Sequence, residues 1–380
     1  MRVAIVHYWL VSRRGGERVV EALCEMFPEA DIFTLVHDPR RTFGSISKHR
    51  IRTSFLQSLP FSTRIYQSLL PLMPVALEQF DLRPYDLVIS SESGPAKGVI
   101  TGPEACHICY CHSPMRYAWN MYQDYWQGAG GIKRLLIPPL MNRIRQWDRL
   151  SADRVDYFVA NSRNVARRIR KYYGRDAKVV YPPVDVSSFT AGQGRGEFYL
   201  VVGQLVAYKR VDLAVAACSK LEKRLVVIGS GAELGRLRQI AGSSVTFLGS
   251  QPDDVVCDHY RRCRALLFPG EDDLGMTPIE AQASGRPVIA YGKGGVLETV
   301  LGYRPDADEG PEKSSGLFFQ EQTLESMIEA LERFEAVEAR FDPVFMHSRV
   351  QVFDSSRFKA EMRRFIDQKL AEFGQTPGLS

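Results

Sequence analysis

The second half of the chain carries five short runs of β-branched and apolar residues, at 198–202, 225–228, 245–248, 265–268 and 288–290. Helical patterns separate them at 210–221, 232–241, 253–263, 277–284 and 296–301. Strands this short and this continuously apolar are buried on both faces, and connections of helix length join them in parallel. The first half repeats the alternation. Strands are expected at 2–10, 32–36, 87–90, 106–111 and 157–160, with a helix from near Glu17 that aligns Val19, Val20, Leu23 and Phe27. Asn161-Ser162 caps a basic helix at 163–173. The expected fold class is α/β, with two Rossmann-like domains at 1–180 and 181–355. They join at Val180-Tyr181-Pro182-Pro183-Val184-Asp185. The loop 191–196 reads as flexible surface, 356–373 as one amphipathic helix packing back toward the N-terminal domain, and 374–380 as a flexible tail. Ligands of open parallel sheets bind at the carboxyl ends of the strands, so a cleft between two facing edges is the expected site.

The length of 380 residues suits two such domains, and Gly and Pro, 30 and 21, are too few for a low-complexity chain. No uncharged apolar run approaches the roughly 18 residues of a membrane span. The apolar stretch Val3 to Val11 carries His7 and runs into Arg13 and Arg14, which does not fit a signal peptide. A cytoplasmic location is therefore expected. Charge divides unevenly: residues 1–180 hold 26 Lys and Arg against 16 Asp and Glu, a net of +10, and the remainder holds 23 against 28, a net of −5. The basic half is expected to face something anionic. Seven cysteines argue against a disulfide framework. Cys106, His107, Cys109, Cys111 and His112 resemble zinc ligands, but strand alternation sends Cys109 and Cys111 to one face and His112 to the other, and no second pair follows at finger spacing.

Three segments have the composition of a site. Gly15 and Gly16 lie between the first strand and the first helix, where a helix N-terminus favours an anion. The dinucleotide fingerprint G-x-G-x-x-G is absent. Lys209 and Arg210 follow the first strand of the second half and are expected to open its helix, opposing the macrodipole unless an anion sits between them. The densest segment is Phe268-Pro269-Gly270-Glu271-Asp272-Asp273-Leu274-Gly275-Met276-Thr277-Pro278-Ile279-Glu280-Ala281. Here a strand ends in an acidic loop, Gly275 permits an unusual turn, and Pro278 suits the first turn of a helix. The N–H groups of Gly275, Met276 and Thr277 would suit a pyrophosphate, and Glu280 could accept two ribose hydroxyls. Dipole complementarity and a plain charged loop account for the same residues.

Together these segments resemble the retaining glycosyltransferases of family 4, which have the GT-B fold of two Rossmann-like domains facing an interdomain cleft. The resemblance spans nearly the whole chain. It rests on Gly15-Gly16, Cys111-His112-Ser113-Pro114-Met115-Arg116-Tyr117, Asn161-Ser162, Lys209-Arg210 with Asp212, the segment through Glu280-Ala281, Ser284-Gly285-Arg286-Pro287-Val288-Ile289-Ala290 and Gly294-Gly295. The runs at His112 and Thr277 are most similar to bacterial mannosyltransferases of polysaccharide and O-antigen assembly. The resemblance implies that Gly16 approaches the donor phosphates, His112 contacts the donor sugar, Lys209 neutralises the diphosphate and Glu280 holds the ribose. The backbone at Leu274, Gly275 and Met276 would hold sugar hydroxyls and phosphate. Two positions depart from the family. Gln204 stands where Arg is usual, and Asp272 where the Glu-x7-Glu motif begins with Glu. A neutral amide makes no charge-assisted contact to phosphate, so Lys209 and Arg210 would carry more of the leaving-group charge.

The implied donor is a nucleotide sugar, GDP-mannose, with no metal or other cofactor. The implied acceptor is a lipid-linked saccharide. Residues 132–137 and 141–147 interleave cations with large apolar side chains, and Phe55, Leu56, Phe61, Leu69 and Leu70 add apolar groups expected at the surface. Such patterns suit an anionic membrane surface. No base-reading module is present, so nucleic acid is not an expected partner. Two alternatives share the fold: a sugar-nucleotide epimerase, and a degenerate sugar-nucleotide-binding protein, the latter motivated by Gln204 and Asp272.

Overall fold

A strand whose every residue is buried must lie mid-sheet with both faces covered, and β5 (Cys106–Cys111) is such a strand. The computed structural model describes residues 1–374 except 14, 129, 193, 195 and 306–308, and of Ile132 and Lys133 it describes the backbone alone. Arg14, Gln193, Arg195 and the tail after Gly374 thus lie outside the described residues. The chain divides into two compact units, Met1–Pro183 with the segment from Ser356, and Val184–Ser355. Within the second unit the two ends of its segment lie side by side, Val184 N–H donating to Phe353 O at 3.0 Å and Ser355 N–H to Val184 O at 3.0 Å.

The first unit holds β1 (Val3–His7), β2 (Asp31–Thr34), β3 (Ile51–Thr53), β4 (Leu87–Glu92), β5, β6 (Tyr157–Ala160) and β7 (Ala177–Val179). They form one parallel sheet in the order β3-β2-β1-β4-β5-β6-β7. One face packs Ile5, Ile89, Ile108 and Tyr110 against Val19, Val20 and Leu23 of helix Gly15–Met26 and against Phe358, Met362, Phe365 and Ile366 of helix Ser355–Gly374. Each of those last four side chains contributes about 1.5–3 kcal/mol by leaving water. The opposite face of β1 and β4 covers Ala4, Val6 and Val88 with Leu56, Met73 and Leu77. Cys109 and Cys111 pack on the side of Val165 and Ile169, while Cys106 packs with Ile108 and Tyr110. The seven cysteines are thiols.

The second unit holds β8 (Phe198–Val202), β9 (Leu225–Ile228), β10 (Val245–Gly249), β11 (Cys263–Phe268), β12 (Val288–Tyr291) and β13 (Gly316–Phe319), parallel in the order β10-β9-β8-β11-β12-β13. In each unit the connection order reverses beside the first strand, between β1 and β4 and between β8 and β11. That switch point is where an open α/β sheet leaves a crevice at its carboxyl edge.

Differences from the sequence expectations are local. β1 ends at His7, and Leu10 makes only an isolated bridge to His37. Edge strands β3, β7 and β13 were not expected; β3 and β7 are three partly exposed residues each and carry no apolar run, and β13 is a four-residue run. Helix Leu324–Val337 also lies outside the expected set, although Thr323 caps it and Met327, Leu331 and Phe334 align on its buried face. The helix after β12 stops at Thr299, short of residue 301.

Candidate active site

The expected site residues fall into two sets, one at the carboxyl edge of each sheet. In the first unit, Gly15 and Gly16 do not precede the helix; they are its first two residues. A Cβ on Gly16 would lie 2.8 Å from Tyr8 Oη, 3.5 Å from His7 Cε1 and 3.7 Å from His112 Nε2. A Cβ there would crowd the Tyr8 hydroxyl, while His7 and His112 lie at ordinary contact distance. His112 is half-buried there. Its backbone N–H donates to Glu92 O at 2.6 Å, its Nε2 lies 2.9 Å from Ser91 Oγ, and the Tyr110 ring meets it edge-on at 5.2 Å. Burial pushes its pKa down to about 4. The ring is neutral at pH 7, which suits a hydrogen-bonding role better than proton carriage.

Behind this edge lies a group that the sequence did not single out. Lys97, Glu92 and Asp148 are all fully buried. The Lys97 ammonium lies 3.2 Å from Glu92 Oε1 and also contacts Asp148. Asp148 further accepts from Trp119 Nε1 at 2.7 Å and from Tyr173 Oη at 3.0 Å. One ammonium serves two carboxylates. Both hold Lys97 protonated, while burial and the second carboxylate push Glu92 up to about 7.

His7 and His107 are likewise fully buried, and burial lowers them to about 3 and about 4. His107 is a core histidine, with Nε2 2.9 Å from Ser90 Oγ and Nδ1 3.2 Å from Arg154 O. Among the described residues no cluster of His, Cys, Asp and Glu could hold a metal. These shifts set the acid response. The unfolded chain takes up protons on three histidines below their ordinary value of 6.5, which the folded chain refuses until about pH 4. Their stabilisation is present above pH 6.5 and is lost as pH falls. Glu92, raised from 4.5, works in the opposite direction. The net is about two protons, so unfolding free energy is expected to fall by up to ~2.7 kcal/mol per pH unit below pH 6.5. Urea midpoints measured from pH 7 to pH 5 check this, and a flat profile would refute it.

In the second unit, Gln204 is half-buried in the turn that leaves β8, and Lys209 ends the short 3₁₀ turn 207–209. Lys209 Nζ lies 3.4 Å from Asp272 Oδ2. The expectation that both cations open the helix is corrected here. Arg210 caps it in a left-handed conformation, φ +47°, and its guanidinium donates to both oxygens of Asp212 at 3.2 and 3.4 Å. The helix itself begins at Val211, with Asp212 favourably placed in its first turn. Lys209 is thus the member of the pair that faces the acidic loop.

Asp272 is held from three sides. Its Oδ1 accepts from Asp273 N–H at 3.0 Å, its carbonyl accepts from Gly295 N–H at 2.9 Å, and Lys209 approaches Oδ2. Glu271 pairs with Lys293 at 3.2 Å. Leu274 is buried, and Met276 and Thr277 are half-buried at the start of helix Met276–Ala283. Its N-cap is Gly275 at φ +86°, a conformation that other residues rarely adopt, and no side chain caps this end. Glu280, one turn in, is 7% exposed, and Tyr260 Oη donates to its Oε2 at 2.8 Å. Tyr260 lies twenty residues upstream on helix Asp253–Arg262, and no local pattern pairs it with Glu280.

The basic and apolar surface is partly corrected. Phe61 is 71% exposed and Phe55 is exposed, but Leu56 and Leu69 are buried. Helix Ile132–Ser151 exposes Leu135 and Leu136 while Met141 and Ile144 pack inward. The side chains of Ile132 and Lys133 lie outside the described residues. Among the described residues no helix is long and apolar enough to cross a membrane.

Two family models match, "Glycosyltransferase Family 4" over residues 13–188 and "Glycosyl transferases group 1" over residues 197–335. HepE of Anabaena, solved with UDP, superposes with a TM-score of 0.69 over 97% of this chain and 100% of its own, at 13% identity. The catalytic domain of starch synthase IV from Arabidopsis thaliana, bound to ADP and acarbose, gives 0.65 over 98% and 99%, at 12% identity. The fold is GT-B, and each unit carries a glycosyltransferase domain. Curated relatives include the D-inositol 3-phosphate glycosyltransferases of Geodermatophilus obscurus, 28% identical over 233 residues, and of Nocardia farcinica, 31% identical over 177. Those matches take in 46% and 38% of this chain and 52% and 39% of the relatives, so about half or less of each relative's length is spanned. In GT-B terms, the first site set lies in the family 4 domain and the second in the group 1 domain.

Proposed function

We propose that this protein is a retaining glycosyltransferase that moves a hexose, mannose from GDP-mannose, onto a lipid-linked saccharide at the cytoplasmic face of a membrane. The observation that carries the reading is the group 1 domain's constellation: an ammonium beside an uncapped helix start, with a buried carboxylate one turn further in. Lys209 and the amides at Gly275, Met276 and Thr277 take the charge that develops on the departing diphosphate, without a metal. Asp272 holds the Lys209 ammonium in place for that task. Glu280, braced by Tyr260, receives the ribose hydroxyls. His112 meets the donor sugar, and Gly16 lets the backbone approach the phosphates. The basic first unit, with Phe61, Leu135 and Leu136 exposed, supports an anionic, lipid-borne acceptor.

A second reading keeps the chemistry and changes both substrates. The curated relatives are named for a phosphorylated inositol, and HepE was solved with UDP. A uridine donor and a soluble phosphorylated acceptor would follow the same logic. The matched families lend no support to an epimerase.

A thermal-shift panel with GDP, UDP, ADP and their sugar conjugates tests the reading. A ligand at 100 times its Kd stabilises by about 2.7 kcal/mol. Selective stabilisation by GDP and GDP-mannose is expected. A selective response to a uridine or adenine nucleotide would change the donor, and no response to any nucleotide would overturn the donor site. Glu280→Ala is expected to weaken nucleotide binding at least tenfold, about 1.5–3 kcal/mol, because hydrogen bonds to a charged group are lost. Unchanged affinity by calorimetry would remove Glu280 from the ribose.

A further inference from the structure

Three polar side chains lie behind His112 in the sheet. His7, at the end of β1, is in register with Ser91 on β4 and with Thr34 on β2, and all three are fully buried. His7 Nδ1 lies 3.2 Å from the Ser91 carbonyl oxygen and 3.1 Å from Ser91 Oγ. Ser91 Oγ in turn lies 2.9 Å from His112 Nε2. One hydroxyl therefore bridges two imidazoles.

The proton positions follow from what each atom can do. A carbonyl oxygen only accepts, so His7 Nδ1 carries a proton and donates it toward Ser91. Ser91 Oγ then accepts from His7, and its single proton points to His112 Nε2. That nitrogen is bare. Burial lowers both rings far below neutrality, to about 3 and about 4, so each carries one proton at pH 7. The proton of His112 is therefore on Nδ1. In the reverse arrangement Ser91 would accept from His112 and donate to His7 Nδ1, which would put the His7 proton on Nε2, buried without a partner. His7 Nε2 is buried without a hydrogen-bond partner, and as a bare acceptor it leaves no proton unpaired.

We propose that Ser91, backed by His7, is a positioning residue that holds His112 in its Nδ1–H form, so that the ring offers a donor and not an acceptor to the bound sugar. The ligand group it would take is an oxygen that can accept, such as a hydroxyl of the hexose. This rests on the placement of His112 at the donor sugar, while the tautomer itself is read on the resting protein. The ring's setting is fixed from other sides as well. The His112 backbone is tied to Glu92, Tyr110 lies against the ring edge, and the Gly16 backbone stands close beside the ring. Sequence spacing gives no sign of the relay, because its members are 84 and 21 residues apart.

The test is a long-range proton–nitrogen correlation on protein labelled with ¹⁵N-histidine at pH 7.5, with the His112 signals assigned by their loss in His112→Gln. The expected pattern is a protonated Nδ1 and a bare Nε2. Ser91→Ala should release the ring to an Nε2–H population and lower kcat about tenfold, the order of one buried hydrogen bond, with little change in KM for the nucleotide sugar. Ser91→Thr should restore both. A protonated Nε2 in the unsubstituted protein overturns the proposal without any variant having to fold. An unchanged tautomer in Ser91→Ala overturns it as well. Failure of every sugar nucleotide to bind would instead bear on the functional reading, so the two are distinguishable.

Discussion

Lys97→Met is expected to lower the unfolding free energy by about 3–5 kcal/mol, the cost of removing one partner from a buried ion network. Methionine has nearly the right length, so the loss is one of charge more than of volume. Glu92 and Asp148 would be left facing each other at zero exposure, without their shared ammonium. Tyr173, whose ring lies 4.9 Å from Lys97 Nζ, would lose that cation too. Urea unfolding at pH 7.5 measures the effect. Lys97→Met combined with Glu92→Gln and Asp148→Asn should recover most of the loss, because neutral amides can remain hydrogen-bonded without a counter-ion. A single variant with an unchanged midpoint would refute the network's role. Since Glu92 also holds the His112 backbone, a partial loss of activity at temperatures where the variant is still folded is expected.

Lys209→Ala is expected to lower kcat by about 10²–10³, the range seen when one preorganised charge-stabilising group is removed from a transition state. Its stability cost should stay under about 1 kcal/mol, because Lys209 and Asp272 are both partly exposed, at 22% and 23%, and solvent screens the pair. Lys209→Arg should recover only part of the rate, since a guanidinium spreads its charge and needs a different geometry. The measurement is kcat with a saturating sugar nucleotide, set beside the unfolding midpoint of the same variant. A fall of less than tenfold would assign the leaving charge to the helix amides at Gly275 and Met276. The neutral Gln204 on the neighbouring turn makes the larger loss the expected one, because Arg210 is committed to Asp212 and Lys293 to Glu271.

Much of this architecture was legible because it is local. β5 and β6 were read to the residue, as was helix Arg163–Tyr173 with Ser162 as its cap, since a buried strand and a capped helix are set by neighbours a few positions away. The acidic loop, the left-handed Gly275 and the helix after it were likewise written in consecutive residues. Short edge strands and the exact role of Arg210 were not, because three half-exposed residues carry no periodicity and a guanidinium turns to whichever carboxylate the fold brings near.

By itself, then, the sequence determined two parallel α/β units, the uneven charge between them, and the candidate residues that lie within single loops. The tertiary structure alone decided which distant side chains meet. It set Tyr260 under Glu280, Lys97 between Glu92 and Asp148, and Ser91 between His7 and His112. The physical reason is strand order. β1, β4 and β5 lie side by side, and their register is fixed by the burial of whole sheet faces against Gly15–Met26 and Ser355–Gly374, which no window of neighbouring residues can specify.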